Sequence, residues 1–168
     1  MKAKVSIIMG STSDLPIMEE AAKILNEFQI PFEINALSAH RTPEEVEKYA
    51  KNAAARGIKV IIAGAGMAAH LPGVIASMTP LPVIGVPIKA SLEGLDSIFS
   101  ILQMPPGIPV ATVGVNSAQN AGILAAQILA TGDESVMNEI IKYKESLKKK
   151  IVQANEELKN VKYPFKTN

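Results

Sequence analysis

The chain has 168 residues, 48% of them hydrophobic and 20% charged, with a formal net charge of +1. A domain of this length buries roughly 70% of the surface its unfolded chain exposes, so a packed globular core is expected and disorder is not. There is no basic stripe to hold nucleic acid or an anionic membrane, and with no cysteine the chain has no disulfide, no thiolate catalysis and no cysteine-held zinc or iron–sulfur site.

Met1–Val5 turns polar at Ser6 and lacks the apolar core and cleavage site of a signal peptide. No apolar run reaches the about 18 residues that span a membrane. The cytoplasm is the expected compartment. Val5–Met9 is a short, β-branched strand candidate that stops at Gly10. From Asp14 to Phe28 the positions Met18, Ala21, Ala22, Leu25 and Phe28 repeat at helical spacing, with charged residues between them. Phe32–Leu37 reads as a second strand. Thr42-Pro43-Glu44-Glu45 supplies a cap, an early proline and acids near the positive dipole end, so a helix is predicted from there to about Arg56, closed by Gly57. Lys59–Ala63 is a third strand, and Met67–Met78 a buried helix interrupted at Pro72-Gly73. Pro82–Val86, Leu92–Gln103 and Pro109–Val113 read as strand, helix and strand. Ser117–Ala130 is an alanine-rich helix, and Asp133 caps a long polar helix through about Lys159, before an aperiodic tail, Val161–Asn168.

Alternating strands and helices imply an α/β fold: a five-strand, doubly wound parallel sheet in three αβα layers, flavodoxin-like, with a long C-terminal helix. One domain, 1–160, and a tail, 161–168, are expected. Such sheets bind ligands beyond the carboxyl ends of their strands. The segments of interest are therefore Gly10–Asp14, Ser38–Arg41, Gly64–His70, Pro87–Gly94 and Gly114–Gln119.

In the first, Gly10 permits a sharp turn, Ser11 and Ser13 offer hydroxyls, and a helix opening favours an anion. Phosphate binding competes there with simple helix capping by Ser13 or Asp14. The spacing is not that of a Walker loop. In the second, His40 is of a residue type that titrates near neutrality, and Arg41 can fork onto a phosphate or carboxylate. A surface His-Arg pair is the plain alternative, but the chain has only two histidines and both fall in strand-end loops. The third loop, Gly64-Ala65-Gly66-Met67-Ala68-Ala69-His70-Leu71, is small enough for a ligand to approach the backbone. It also fits a dinucleotide fingerprint, G-x-G-x-x-A, but no acid follows before Glu93 to hold a ribose. For His70, a loop-orienting role and a direct catalytic one both stay open. A flavin binder lacks aromatic residues in these loops, and neither histidine has another histidine or an acid at metal-ligand spacing.

Five segments in order resemble one family, the 5-(carboxyamino)imidazole ribonucleotide mutases of the aminoimidazole ribonucleotide carboxylase group. They are Met9-Gly10-Ser11-Thr12-Ser13-Asp14, Ser38-Ala39-His40-Arg41-Thr42-Pro43, Gly64 through Gly73, Gln103-Met104-Pro105 and Leu124-Ala125-Ala126-Gln127-Ile128-Leu129, and they cover about residues 4 to 130. Arg41 and Ala68-Ala69-His70-Leu71-Pro72-Gly73 resemble the mutase branch rather than the direct carboxylases. Two features depart from the branch: Met67 stands where glycine is common, and the segments 87–94 and 114–120 look one or two residues short.

The resemblance implies an enzyme of de novo purine (IMP) biosynthesis that moves a carboxylate within a ribonucleotide substrate. It implies His40 as general acid/base. Ser11, Ser13 and Arg41 fall on the phosphate side and Asp14 on the ribose side. Ser38 and Gly66–His70 fall around the base and carboxylate, and Gly10, Ala39, Gly64, Ala65 and Leu71 complete the expected binding set. No metal, nucleotide or organic cofactor is implied, and a homo-octamer with sites at subunit contacts is. Direct carboxylation of aminoimidazole ribonucleotide and a non-catalytic nucleotide or flavin module are the alternatives.

Overall fold

The computed structural model describes residues 2–168. Five parallel strands form one sheet: β1 (Val5–Met9), β2 (Phe32–Ala36), β3 (Val60–Gly66), β4 (Val83–Ile88) and β5 (Ala111–Thr112), in the order β2-β1-β3-β4-β5. Strand β1 pairs with both β2 and β3, Val5 lying opposite Phe32 on one side and Val60 on the other. The three central strands are apolar apart from Ser6 because helices cover both faces.

One face carries α1 (Leu15–Glu27), α5 (Ala118–Ala130) and the start of α6 (Glu134–Leu158), packed on Val5, Ile7, Val60, Ile62 and Ile84. The other carries α2 (Pro43–Asn52), α3 (Leu71–Met78) and α4 (Leu95–Leu102), packed on Ile8, Ile61 and Ala63. This is the doubly wound, flavodoxin-like arrangement the element order implies. The chain steps from β1 outward to β2 and then returns past β1 to β3. The switch point therefore opens beyond the ends of β1 and β3, with the β2 loop beside it.

Several boundaries differ from the sequence expectation for physical reasons. Strand β3 runs on through Gly64-Ala65-Gly66, since the missing side chain of Gly64 makes room for the Met18 thioether of α1. Helix α3 starts at Leu71, so Pro72 lies in its first turn and opens the helix rather than interrupting it. Leu92–Gly94 forms a separate turn with positive φ at Leu92, Glu93 and Gly94, and α4 begins only at Leu95. Helix α2 ends at Asn52, and the chain then turns to Gly57, whose φ of 98° is left-handed. Thr42 does not cap α2 with its side chain: its hydroxyl donates back to the Ser38 carbonyl, 3.0 Å, and accepts from the Ser38 N–H, 2.9 Å. Asp133 does cap α6, accepting from Val136 N–H at 3.3 Å. The Lys4 ammonium, 3.0 Å away, and that N–H hold the Asp133 carboxyl below the usual carboxylate range.

Helix α5 buries its small-residue face within the chain. Gly122 lets it close onto Ala21 and Ile24 of α1, and Val136 and Ile140 of α6 join the same core. The first turns of α6 dock on their own domain, ending with Tyr143 edge-on to Phe28 at 5.3 Å. Beyond Leu147 the helix stands clear of it, and Ile151 is 72% exposed.

Candidate functional site

Three loops meet where β1, β2 and β3 end, around a cavity of about 500 Å³, within the size range of small-molecule sites. From the first loop come Gly10, Ser11, Ser13 and Asp14. The second gives Ser38, Ala39, His40 and Arg41, and the third Ala65, Gly66, Met67, Ala68 and Leu71. Two expected residues lie outside the lining. Gly64 sits further back in β3 beneath Met18, where its role is packing, and His70 stands behind His40. One lining residue, Ala90, was not expected. It belongs to the β4 loop, one of the strand-end segments, and its methyl abuts Gly66, so its place in that loop and its smallness were the signals for it. The β5 loop contributes none. Its Asn116 instead braces the two short segments, donating its N–H to the Pro87 carbonyl and accepting from Lys89 N–H with its side chain.

Each loop is built from its own polar groups. Ser11 accepts from the Ser13 N–H at 3.3 Å and from the Ser13 hydroxyl at 3.0 Å, which folds the short turn before α1. Asp14 makes no side-chain cap bond to α1, so its carboxyl is left to the cavity rim. Burial pushes that carboxyl above its ordinary pKa, against the hydrogen bonds to Ser13 and the Ser11 backbone that pull it down. In the second loop the Ser38 hydroxyl accepts from the His40 N–H at 3.3 Å and the Arg41 N–H at 3.2 Å. With Thr42 bonded back to Ser38, residues 38–42 form a closed knot that fixes both chemical side chains at their backbones.

Those side chains then diverge. Arg41 Nη2 donates to the Gly10 carbonyl at 3.1 Å, which sets the guanidinium against the first loop beside Ser11 and Ser13. His40 turns to the third loop, where its Nε2 lies 2.8 Å from His70 Nδ1. Met67 takes a left-handed φ of 55° and is 60% exposed at the cavity wall. A Cβ in that conformation costs roughly 1–2 kcal/mol, which explains why glycine suits the position and why methionine here is a departure. Chemically, the cavity offers hydroxyls and a forked cation on one side and an imidazole on the other. Among the described residues no group of three histidine, aspartate or glutamate side chains is placed to hold a metal ion.

The family model described as AIR carboxylase matches residues 4–150. The chain belongs to the AIR carboxylase family. Within it, the chain is 58% identical over 161 residues to the N5-carboxyaminoimidazole ribonucleotide mutase of Thermotoga maritima, covering 95% of this chain and 94% of that protein. It is 55% identical over 158 residues to the phosphoribosylaminoimidazole carboxylase of Schizosaccharomyces pombe, covering 94% of this chain but only 29% of that longer protein. The crystal structure of Treponema denticola PurE superposes with a TM-score of 0.84 at 35% identity, covering 92% of this chain and 98% of that one. The AIR carboxylase match runs through all three cavity loops and into α6, and stops before the tail.

Proposed function

We propose that this cavity converts 5-carboxyamino-1-(5-phosphoribosyl)imidazole into 5-amino-1-(5-phosphoribosyl)imidazole-4-carboxylate. The observation that carries the reading is the divergence of His40 and Arg41 from one rigid knot. The cation faces the two serines of the first loop, and the imidazole faces the far side of the same cavity. The mutase names borne by full-length relatives favour the same chemistry.

In this mechanism Ser11, Ser13 and Arg41 hold the phosphate and Asp14 the ribose. The imidazole base then lies against Ser38, Ala39 and Gly66–Leu71. The N–C bond of the carbamate breaks, its electron pair returns to nitrogen, and protonated His40 supplies the proton there. Ring carbon 4 of the resulting aminoimidazole attacks the released carbon dioxide. The proton on that carbon passes to His40, which restores the aromatic ring and resets the enzyme. Atoms and charge balance without ATP or a metal. Holding the gas beside its acceptor turns recapture into an effectively unimolecular step.

The carboxylase name of the Schizosaccharomyces pombe relative favours a second reading, direct carboxylation of aminoimidazole ribonucleotide. A flavin module is disfavoured because no aromatic residue besides His40 lines the cavity. The deciding assay supplies the carboxyamino substrate and, separately, aminoimidazole ribonucleotide with bicarbonate. Isomer conversion without ATP or added metal is expected, with the direct reaction far slower. Efficient direct carboxylation without isomer conversion overturns the proposal.

We further propose a cytoplasmic homo-octamer with cavities at subunit contacts. Two apolar faces stand exposed among the described residues: Leu95, Phe99 and Leu102 of α4, and Leu147, Ile151 and Leu158 of α6. Closed symmetry is the usual way such faces are covered. Light scattering at micromolar concentration is expected to report an eight-chain mass, and a stable, active monomer refutes the assembly and any shared site together. No helix among the described residues is long and apolar enough to cross a membrane.

A further inference from the structure

His40 and His70 meet edge to face, with ring centroids 4.9 Å apart and planes at 83°. His40 Nε2 lies 2.8 Å from His70 Nδ1, and only one proton fits between two nitrogens at that distance. Two arrangements are therefore open. Either His40 Nε2–H donates to His70 Nδ1, and both rings are Nε2–H tautomers, or His70 donates, and both are Nδ1–H tautomers. The Nε2–H form is the commoner one for a free histidine side chain, so the first arrangement asks nothing unusual of either ring. The hydrogen bond at one ring nitrogen decides the state of the other.

We infer that His70 is a positioning residue: its Nδ1 accepts the Nε2 proton of His40 and leaves His40 Nδ1 as the unprotonated nitrogen that exchanges protons with the substrate. This rests on the isomerisation proposed above. His70 does not line the cavity, so it acts through His40 and not on the ligand. The fold supplies the pairing directly. His40 follows β2 and His70 immediately precedes α3, and these loops rise on either side of the end of β1. Ser38 fixes the His40 backbone and His70 fixes its ring.

The pairing favours the reactive state. When Nδ1 takes the proton from carbon 4, His40 becomes a cation and its bond to His70 becomes charge-assisted, about twice as strong as a neutral one. His40 is a cation at the start of the proposed reaction and again at its end, so this bond favours the proton transfer from carbon 4 that resets the enzyme. Because His70 does not line the cavity, its loss bears on turnover more than on substrate affinity.

Two substitutions separate this role from simple packing. His70→Phe keeps an aromatic ring but has no acceptor. His70→Asn places an amide oxygen near the Nδ1 position and keeps one. Nitrogen chemical shifts of the His40 ring, recorded on the unliganded protein at a pH where it is neutral, are expected to report the Nε2–H tautomer in the parent and in His70→Asn, and a mixture in His70→Phe. With the carboxyamino substrate, kcat of His70→Phe is expected to fall about 10- to 150-fold, the range of one hydrogen bond to a charged group, with KM nearly unchanged. His70→Asn is expected to recover most of that loss. An Nδ1–H form of His40, a tautomer unmoved by His70→Phe, parental kcat in His70→Phe, or equal losses in both variants overturns the inference. A parent protein inert toward the carboxyamino substrate overturns the isomerisation instead, and the tautomer measurement then still decides what His70 does.

Discussion

The His40→Asn protein is expected to bind the ribonucleotide but to turn it over about 100 to 10,000 times more slowly, the usual worth of general acid–base catalysis. Asparagine approximates the size of the ring and keeps hydrogen-bonding capacity. It cannot give and take a proton near pH 7. One group serves both half-reactions in the proposed mechanism, so neither carbamate cleavage nor loss of the carbon 4 proton has a substitute. The upper part of that range is therefore expected. Folding is not at stake, because His40 is exposed and surface substitutions usually shift stability by no more than about 0.5 kcal/mol. Affinity for the carboxylated product, measured by calorimetry, is expected to stay close to the parent's. More than a tenth of the parent's turnover in His40→Asn removes His40 from the role.

Much of this arrangement was legible in the residues, and the exceptions have physical causes. Val5–Met9 reads as a strand because a strand buried on both faces is a plain apolar run. Ser6 breaks that run in sequence but not in space. Its hydroxyl donates to Glu33 at 2.8 Å and meets the Tyr49 hydroxyl, and burial pushes the Tyr49 phenol up to about 12. Such a buried polar group is tolerated because it is paired across three elements, and no local pattern announces partners so far apart in the chain. Gly64-Ala65-Gly66 looks like loop and is strand, because glycine in the middle of a sheet can mark the close approach of another side chain as well as a turn. Helix α5 has no ionisable residue, and α1 and α6 of the same chain cover the face that carries Ala121, Ala125 and Ala126, with Ile123, Leu124 and Ile128 only partly buried. Helix α6 is docked as far as Tyr143, and its apolar positions Leu147, Ile151 and Leu158 are exposed. The cavity followed from topology, since strand order alone brings the first three loops together. The hydrogen bond between the two histidines depends on ring orientation, which spacing does not reveal.

Arg41→Ala is expected to weaken ribonucleotide binding about 10- to 150-fold, the equivalent of roughly 1.5–3 kcal/mol for a hydrogen bond to a charged group. The guanidinium has five donors, and the Gly10 carbonyl engages one of its nitrogens at 3.1 Å. The rest of the fork remains free beside Ser11 and Ser13, poised for a phosphate whose charge makes each bond stronger than a neutral one. Binding at the phosphate contributes alike before and during the reaction, so KM is expected to rise while kcat changes little. Arg41→Lys keeps the charge without the fork and is expected to fall between the parent and Arg41→Ala. The Gly10 contact allows a rival explanation, in which losing Arg41 simply loosens the first loop. The two accounts part on a ligand without the phosphate. If Arg41 grips phosphate, the dephosphorylated nucleoside binds the parent and Arg41→Ala equally weakly. If Arg41 only braces the loop, the nucleoside loses affinity in the variant as the ribonucleotide does, and the phosphate assignment fails.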